Sequence, residues 1–337
     1  MQSMKLSKLT MAIAIILAGA IGITTLATNS FNSFTTPSNP NDNTVLNSTI
    51  DPIDAVVVQP SQLANQWIVS PAEAKYLIEQ GAIVLDVRDR DSQTNGMVQG
   101  AIAVSWQQFS QSKFPHQGKL LEDELALTQH LRNVGVFSNK AVVVVGDPLN
   151  GWGEDGRIVW MLRTLGHQQT VLVDGGYLAL SRVDLPMTQT ISQAAAIPGD
   201  FVIQRIRDWE ITQEDLRTRL ATRKNLVVID AREPREFAGA TPYGEQRGGH
   251  IPGAISLHYK ELLDAEGHLL PRSKILALLR DRHVPSNAII VSYCTGGVRS
   301  GWLTSVLVDL GFQAQNYAGS MWEWSAGSAN QNHLVNH

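Results

Sequence analysis

A single cysteine, Cys294, serves all 337 residues of this chain. An intramolecular disulfide is therefore excluded, and the fold must rest on its apolar core. Charge is sparse and nearly balanced: 27 Lys and Arg stand against 31 Asp and Glu, a formal net charge of −4. That leaves no basic footprint for nucleic acid. The nine histidines show no ligand-like spacing with a carboxylate or with the cysteine, so neither a metal nor a cofactor is expected. Long uncharged apolar runs are missing except at residues 9–27, which follow Lys5 and Lys8. This layout is that of an export signal, and it is also nearly long enough for an uncleaved membrane anchor. No cysteine follows the run, which excludes a lipoprotein anchor.

What is present divides the chain. Residues 1–28 are expected to be the signal or anchor, and residues 29–61, rich in Asn, Ser, Thr and Pro, a flexible tether. The expected location is the periplasm or an equivalent extracytoplasmic space, with membrane contact confined to the N-terminal segment. The remainder reads as one unit written twice. Ala82-Ile-Val-Leu-Asp86-Val-Arg88 is matched by Leu226-Val-Val-Ile-Asp230-Ala-Arg232, and Gly100-Ala-Ile-Ala by Gly253-Ala-Ile-Ser. Lys140-Ala-Val-Val-Val-Val-Gly146-Asp147 is matched by Asn287-Ala-Ile-Ile-Val-Ser-Tyr293-Cys294, which sets Asp147 opposite the cysteine. Ile158 to Gly166 is matched by Leu303 to Gly311. Matches in one order at one spacing indicate a duplicated domain. The expected copies are residues 62–185 and 200–328, joined by a linker at 186–199 and followed by a tail at 329–337.

Within each copy short β-rich runs alternate with helical runs. Ser70-Pro71-Ala-Glu73 is a capping box that opens a helix to about Gln80, and Thr212 with Asp215 repeats the device. Apolar runs such as Ala141 to Val145 and Ala288 to Val291 suit strands buried on both faces. The expected class is α/β, each copy a mainly parallel sheet flanked by helices on both faces. Ligands of such sheets bind at the carboxyl ends of the strands. Cys294 stands at that edge, opening the turn Thr295-Gly296-Gly297-Val298-Arg299-Ser300 before a helical run from Gly301 to Leu310. Backbone N–H groups and a helix N-terminus converging on a thiol favour its thiolate, the nucleophilic form.

These motifs resemble the rhodanese family. The resemblance rests on Asp230-Ala-Arg232 with Arg235-Glu-Phe237, on Arg247-Gly-Gly-His250-Ile-Pro-Gly-Ala254, on the Cys294 loop, and on Asn316-Tyr-Ala-Gly-Ser-Met-Trp322-Glu-Trp324. It covers about residues 62–328, a tandem-domain sulfurtransferase with its active cysteine in the second copy. It implies a catalytically silent first copy that closes one side of the site. It also implies attack of Cys294 on the sulfane sulfur of a small anionic donor, thiosulfate or 3-mercaptopyruvate. A Cys294 persulfide would follow, held by Thr295, Gly296, Gly297, Val298, Arg299 and Ser300, with Arg232 and Arg235 on the substrate side. Cyanide or a thiol, such as that of a thioredoxin-like protein, would take the sulfur.

Other readings separate on loop length. Dual-specificity phosphatases and their rhodanese-like relatives, including arsenate reductases, place five residues between Cys and Arg to cradle a tetrahedral oxyanion. Here Thr295, Gly296, Gly297 and Val298 alone intervene, a span suited to one sulfur atom. A non-catalytic sulfur-binding module is the further alternative, and the retained cysteine argues against it. Neutral Thr295 and Gly296 resemble mercaptopyruvate enzymes, whereas Arg299-Ser300 resembles some thiosulfate enzymes; thiosulfate is the expected donor. His250 is expected to be a structural hydrogen-bonder, and Trp302, Trp322 and Trp324 core or site wall.

Overall fold

Asp86 and Asp230 end strands that hold the same place in two parallel sheets. A computed structural model describes residues 60–222 and 225–335; the expected signal or anchor at 1–28 lies outside them. Among the described residues no helix is long and apolar enough to cross a membrane.

The first copy runs β1 (Ile68–Val69), α1 (Pro71–Glu79), β2 (Ile83–Asp86), β3 (Ile102–Ala103), α2 (Glu124–Asn133), β4 (Val142–Val145), α3 (Glu154–Thr164), β5 (Thr170–Val173) and α4 (Gly176–Leu180). Its strands pair in parallel in the order β1-β5-β4-β2-β3. The second copy runs α5 (Gln213–Thr222), β6 (Leu226–Asp230), β7 (Ile255–Ser256), α6 (Arg272–Asp281), β8 (Ile289–Tyr293), α7 (Val298–Asp309), β9 (Gln313–Asn316) and α8 (Ser320–Ala326). Its parallel order is β9-β8-β6-β7. Parallel strands joined by helical crossovers bury both faces, hence the unbroken apolar runs.

The caps form as their sequences direct. Ser70 Oγ accepts from Glu73 N–H at 3.2 Å, and Glu73 Oε2 accepts from Ser70 N–H at 2.7 Å. At α5, Thr212 Oγ1 accepts from Asp215 N–H at 3.1 Å.

The alternation of side chains along each strand sorts three cores. Val84, Val143, Val145, Val171 and Val173 face outward against α1 and α4. Val228, Val291 and Tyr293 face outward against α5 and α8. Leu85, Val142 and Val144 of the first sheet point inward and share a single core with Ile229 and Ile290 of the second. Between the sheets lie α3 and α7, whose residues Asp155 to Thr164 and Val298 to Leu307 are all buried. Glycine brings them close: Gly156 faces Trp302, and Gly301 faces Arg157. A helix buried on every side is driven by apolar burial rather than by an amphipathic stripe.

Strand register corrects one expectation. Asp86 pairs with Val145, and Asp230 with Tyr293, so the residue opposite Cys294 is Gly146 and not Asp147. The next hydrogen bond agrees, since Tyr177 N–H donates to Gly146 C=O as Met321 N–H donates to Cys294 C=O. The apolar runs alone allow a slip of one residue between the copies; the hydrogen-bond ladder fixes the register. Asp147 instead opens a turn, its carboxylate accepting from Leu149 and Asn150 N–H at 3.1 and 3.0 Å.

Candidate active site

Strand β8 delivers Cys294 to the sheet edge, and α7 starts at Val298, three residues sooner than the apolar periodicity suggested. Arg299 and Ser300 therefore lie in the first helical turn rather than in the loop. The turn is tight because Gly297 adopts φ +79°, and a Cβ there would stand 2.6 Å from the Ala318 carbonyl. Gly297 N–H reaches Cys294 Sγ at 3.1 Å, and the Ser300 hydroxyl lies 3.5 Å from it while also donating to Asn316 Oδ1 at 2.7 Å. Burial opposes a charge on this sulfur. The Arg299 guanidinium, the Ser300 hydroxyl and the N–H groups of Ser300 and Gly296 outweigh it, and hold the thiol below its ordinary pKa.

Arg299 is itself held by its two Nη groups. Its Nη1 and Nη2 donate to Glu236 Oε2 and Oε1 at 2.6 and 2.8 Å, and Nη2 also donates to Thr295 Oγ1 at 2.8 Å. Burial raises the Glu236 carboxyl, but Arg299 overrides it and holds the pKa below its usual value. The Thr295 hydroxyl sits 3.0 Å from both Glu236 and Glu245, so its single proton serves one carboxylate at a time. The guanidinium lies near the rings of Trp152 and Tyr243, 5.2 and 5.6 Å from their centroids.

Above the sulfur opens a cavity of about 270 Å³. The first copy contributes Trp106, Gln107, Trp152 and Glu154, and the second Tyr243 and Trp322 around the Cys294 loop. A larger hollow of about 530 Å³, lined in part by Lys119, Arg205 and Glu214, does not reach the thiol; the nucleophile, rather than the volume, locates the site. Arg157 of α3 stands behind the loop. It is buried, and its guanidinium donates to the carbonyls of Gly297 and Gly118 at 3.3 and 2.8 Å and to Ser110 Oγ at 3.2 Å. Burial pulls its pKa down to about 9.

The geometry now stands beside known proteins. A family model of the rhodanese-like domain matches residues 70–182 and again 212–327. The chain belongs to the rhodanese family. A thiosulfate sulfurtransferase of Azotobacter vinelandii is 26% identical over 259 residues, 76% of this chain and 93% of that protein. The human 3-mercaptopyruvate sulfurtransferase is 29% identical over 172 residues, 50% of this chain and 57% of that one. Among solved structures, the Escherichia coli 3-mercaptopyruvate sulfurtransferase SseA superposes with a TM-score of 0.63 at 25% identity, covering 76% of this chain and 98% of that one. A 3-mercaptopyruvate sulfurtransferase from Leishmania major, 21% identical, shares the fold with a TM-score of 0.65, over 78% of this chain and 75% of that one.

Against this rhodanese frame the sequence-derived residues divide. Cys294, Thr295, Gly296, Val298 and Arg299 line the cavity, with Gly297 and Ser300 at the sulfur. Arg232 is elsewhere: it is buried, donates through Nε and Nη2 to Asp230, and reaches the Gly249 carbonyl at 2.9 Å. Arg88 makes the same contacts in the first copy, to Asp86 and to the Gly96 carbonyl at 2.6 Å. A pair repeated where no thiol exists braces the strand end. Arg235 is exposed and ion-paired to Glu233 at 2.6 Å, with its Nη2 3.5 Å from the hydroxyl of Tyr243. His250 Nδ1 lies 3.0 Å from the Phe237 carbonyl, and the ring stacks on Phe237. Arg247 holds the carbonyls of Trp324, Ser325, Gly327 and Asn332. Sequence reasoning did not single out Glu236, Glu245, Glu154, Trp152 or Arg157. The family resemblance implied that the first copy closes one side of the site, without pointing to these residues.

Proposed function

We propose that this chain is a sulfurtransferase that moves a sulfane sulfur from thiosulfate to cyanide or a thiol through a Cys294 persulfide. The thiolate attacks the outer sulfur of thiosulfate, the sulfur–sulfur bond of the donor breaks, and sulfite leaves with the bonding pair. The transferred sulfur remains bonded to Cys294 Sγ. Fixed N–H donors stabilise the charge, as in other preorganised anion sites.

The observation that carries this reading is the pairing of a 3.1 Å Gly297 N–H to Sγ contact with an Arg299 whose fork is closed on Glu236. A phosphatase loop aims its arginine at the oxyanion, whereas here both Nη groups are turned on Glu236. The cradle is sized for one sulfur. Arg235, exposed beside Tyr243 at the cavity rim, would attract an anionic donor. Arg232 would act indirectly, by holding the Gly249 turn. Gly146 opposite Cys294 implies one sulfur per chain. Export to an extracytoplasmic space is part of the same proposal, on the basic and apolar pattern of residues 1–28.

Intact mass spectrometry after addition of thiosulfate tests it. The expected species is one sulfur atom heavier, is reversed by cyanide or dithiothreitol, and is missing in Cys294→Ser. Uptake from neither thiosulfate nor 3-mercaptopyruvate would sink the reading, as would phosphatase turnover without sulfur uptake. A large kinetic preference for 3-mercaptopyruvate would reverse the choice of donor.

A further inference from the structure

Glu154 is the one carboxylate in the cavity wall, and it comes from the copy that carries no thiol. Among the described residues no Lys, Arg or His lies within ion-pair distance of it, whereas Arg299, the cation of the same wall, is consumed by Glu236. Its Oε2 accepts from Trp152 N–H at 2.7 Å. The loop that presents it is tied down from the second copy. Tyr259 donates to the Gly151 carbonyl at 2.8 Å, Lys260 Nζ donates to the Leu149 carbonyl at 2.6 Å, and Trp152 packs edge-on against Tyr243 at 5.2 Å. A carboxylate in the wall of the space above a nucleophilic sulfur, held by a backbone N–H and without a cationic partner, is placed to exchange a proton with an acceptor bound there.

We propose that Glu154 is the general base of the second half-reaction, taking the proton from a thiol acceptor as that thiol attacks the sulfur carried by Cys294. The inference rests on the sulfurtransferase reading. The acceptor's S–H bond breaks and its proton goes to the Glu154 carboxylate. The persulfide, formed as an anion when sulfite leaves, first takes up a proton from water, and the acceptor sulfur then bonds to its outer sulfur, which keeps that proton. The Cys294 sulfur–sulfur bond breaks, its electron pair staying on Sγ as thiolate. The products are the acceptor persulfide and free enzyme, and Glu154 returns its proton to water.

Burial raises the Glu154 carboxyl above its usual pKa, Asp147 on the same loop adds to the rise, and the N–H groups of Glu154 and Trp152 with the Lys260 ammonium oppose it. The neighbouring Asp155 is buried against Gly146, and the Arg299 guanidinium lies 5.2 Å from the centroid of the Trp152 ring. A carboxylate raised in this way is a better base towards a thiol than an exposed one.

The test, run at alkaline pH, separates discharge by a thiol from discharge by fully ionised sulfite, an acceptor with no proton to remove. Protein loaded with thiosulfate and desalted is mixed with dithiothreitol or with sulfite, and loss of the bound sulfur is followed by quenched intact mass. Glu154→Gln should slow discharge by dithiothreitol at least tenfold more than discharge by sulfite. The thiol rate of the variant should then follow the acceptor's own ionisation with pH. Glu154→Asp should recover part of the difference, and it carries the same comparison if Glu154→Gln does not load. Equal slowing with both acceptors, or an unchanged ratio, overturns the proposal. Wild-type protein that takes up no sulfur overturns the sulfurtransferase reading and this proposal with it.

Discussion

Arg299 carries two jobs with one guanidinium, since it lowers the thiol pKa and neutralises the buried carboxylate of Glu236. Removing it leaves the buried Glu236 carboxylate without a counter-charge, a loss of about 3–5 kcal/mol in stability. Arg299→Leu should therefore melt well below wild type and alkylate with a midpoint shifted towards that of a free thiol, about 8.5. The double variant Arg299→Leu with Glu236→Leu should regain most of the stability but not the thiol shift. Urea titration and the pH dependence of iodoacetamide alkylation measure the two effects separately. The cysteine, its glycines and Arg299 were legible in the sequence because strand, turn and helix start are local. Glu236, 63 residues away along the chain, was not. Its pairing exists only once the sheet has assembled, and a single sequence carries no signal for it.

At the level of the element, the first copy's loop shows what fills a sulfur cradle that has no sulfur. Gly146 leaves a gap, and the Asp155 carboxyl fills it, within 2.7 Å of where a Cβ on Gly146 would stand. Burial pushes this carboxyl up to about 7 from an ordinary 3.8. Between those values the folded chain keeps a proton that the unfolded chain releases, so stability falls as pH rises through the window. The contribution is on the order of 2–4 kcal/mol. Asp155→Asn should flatten the pH dependence of urea unfolding between about pH 4 and 7, and an unchanged slope would contradict the burial argument. The capping boxes and buried strands were readable, because they follow from local chemistry and periodicity. The one-residue slip at Asp147 arose because apolar runs specify a strand but not its register, which interstrand hydrogen bonds decide.

The whole molecule is held by the α3–α7 contact, where two glycines admit side chains from the opposite copy. A Cβ on Gly156 would lie 2.4 Å from the Trp302 Cα, an atom that cannot rotate away. Gly156→Val should cost about 1–3 kcal/mol or more by overpacking and displace the first-copy loop from the cavity. Calorimetry should report a lower melting temperature, and persulfide formation should slow in parallel. Further ties cross the same boundary: Asp309 accepts from Trp67 and Ile68 N–H at 2.7 and 3.2 Å, and Asp174 from Leu269 N–H at 2.7 Å. With a shared core, residues 60–335 should unfold in one transition, and neither copy should fold when expressed alone. The duplication was plain from repeated motifs. That the copies close on each other through their most buried helices was not, because each helix reads by itself as an ordinary apolar segment.

Arg157 gives this union a thermal signature. Its guanidinium, buried where the two copies meet, rests on neutral oxygens, and the charge nearby that stabilises it belongs to Cys294. The melting point should then act as a gauge of the sulfur's condition. Capping Cys294 with a neutral amide strips Arg157 of its counter-charge, so the protein should melt earlier even though no fold contact is cut. Loading that leaves the outer sulfur ionised keeps the charge and should spare the melting point. A simple thermal-shift experiment would thus distinguish blocked from charged enzyme without following the reaction at all.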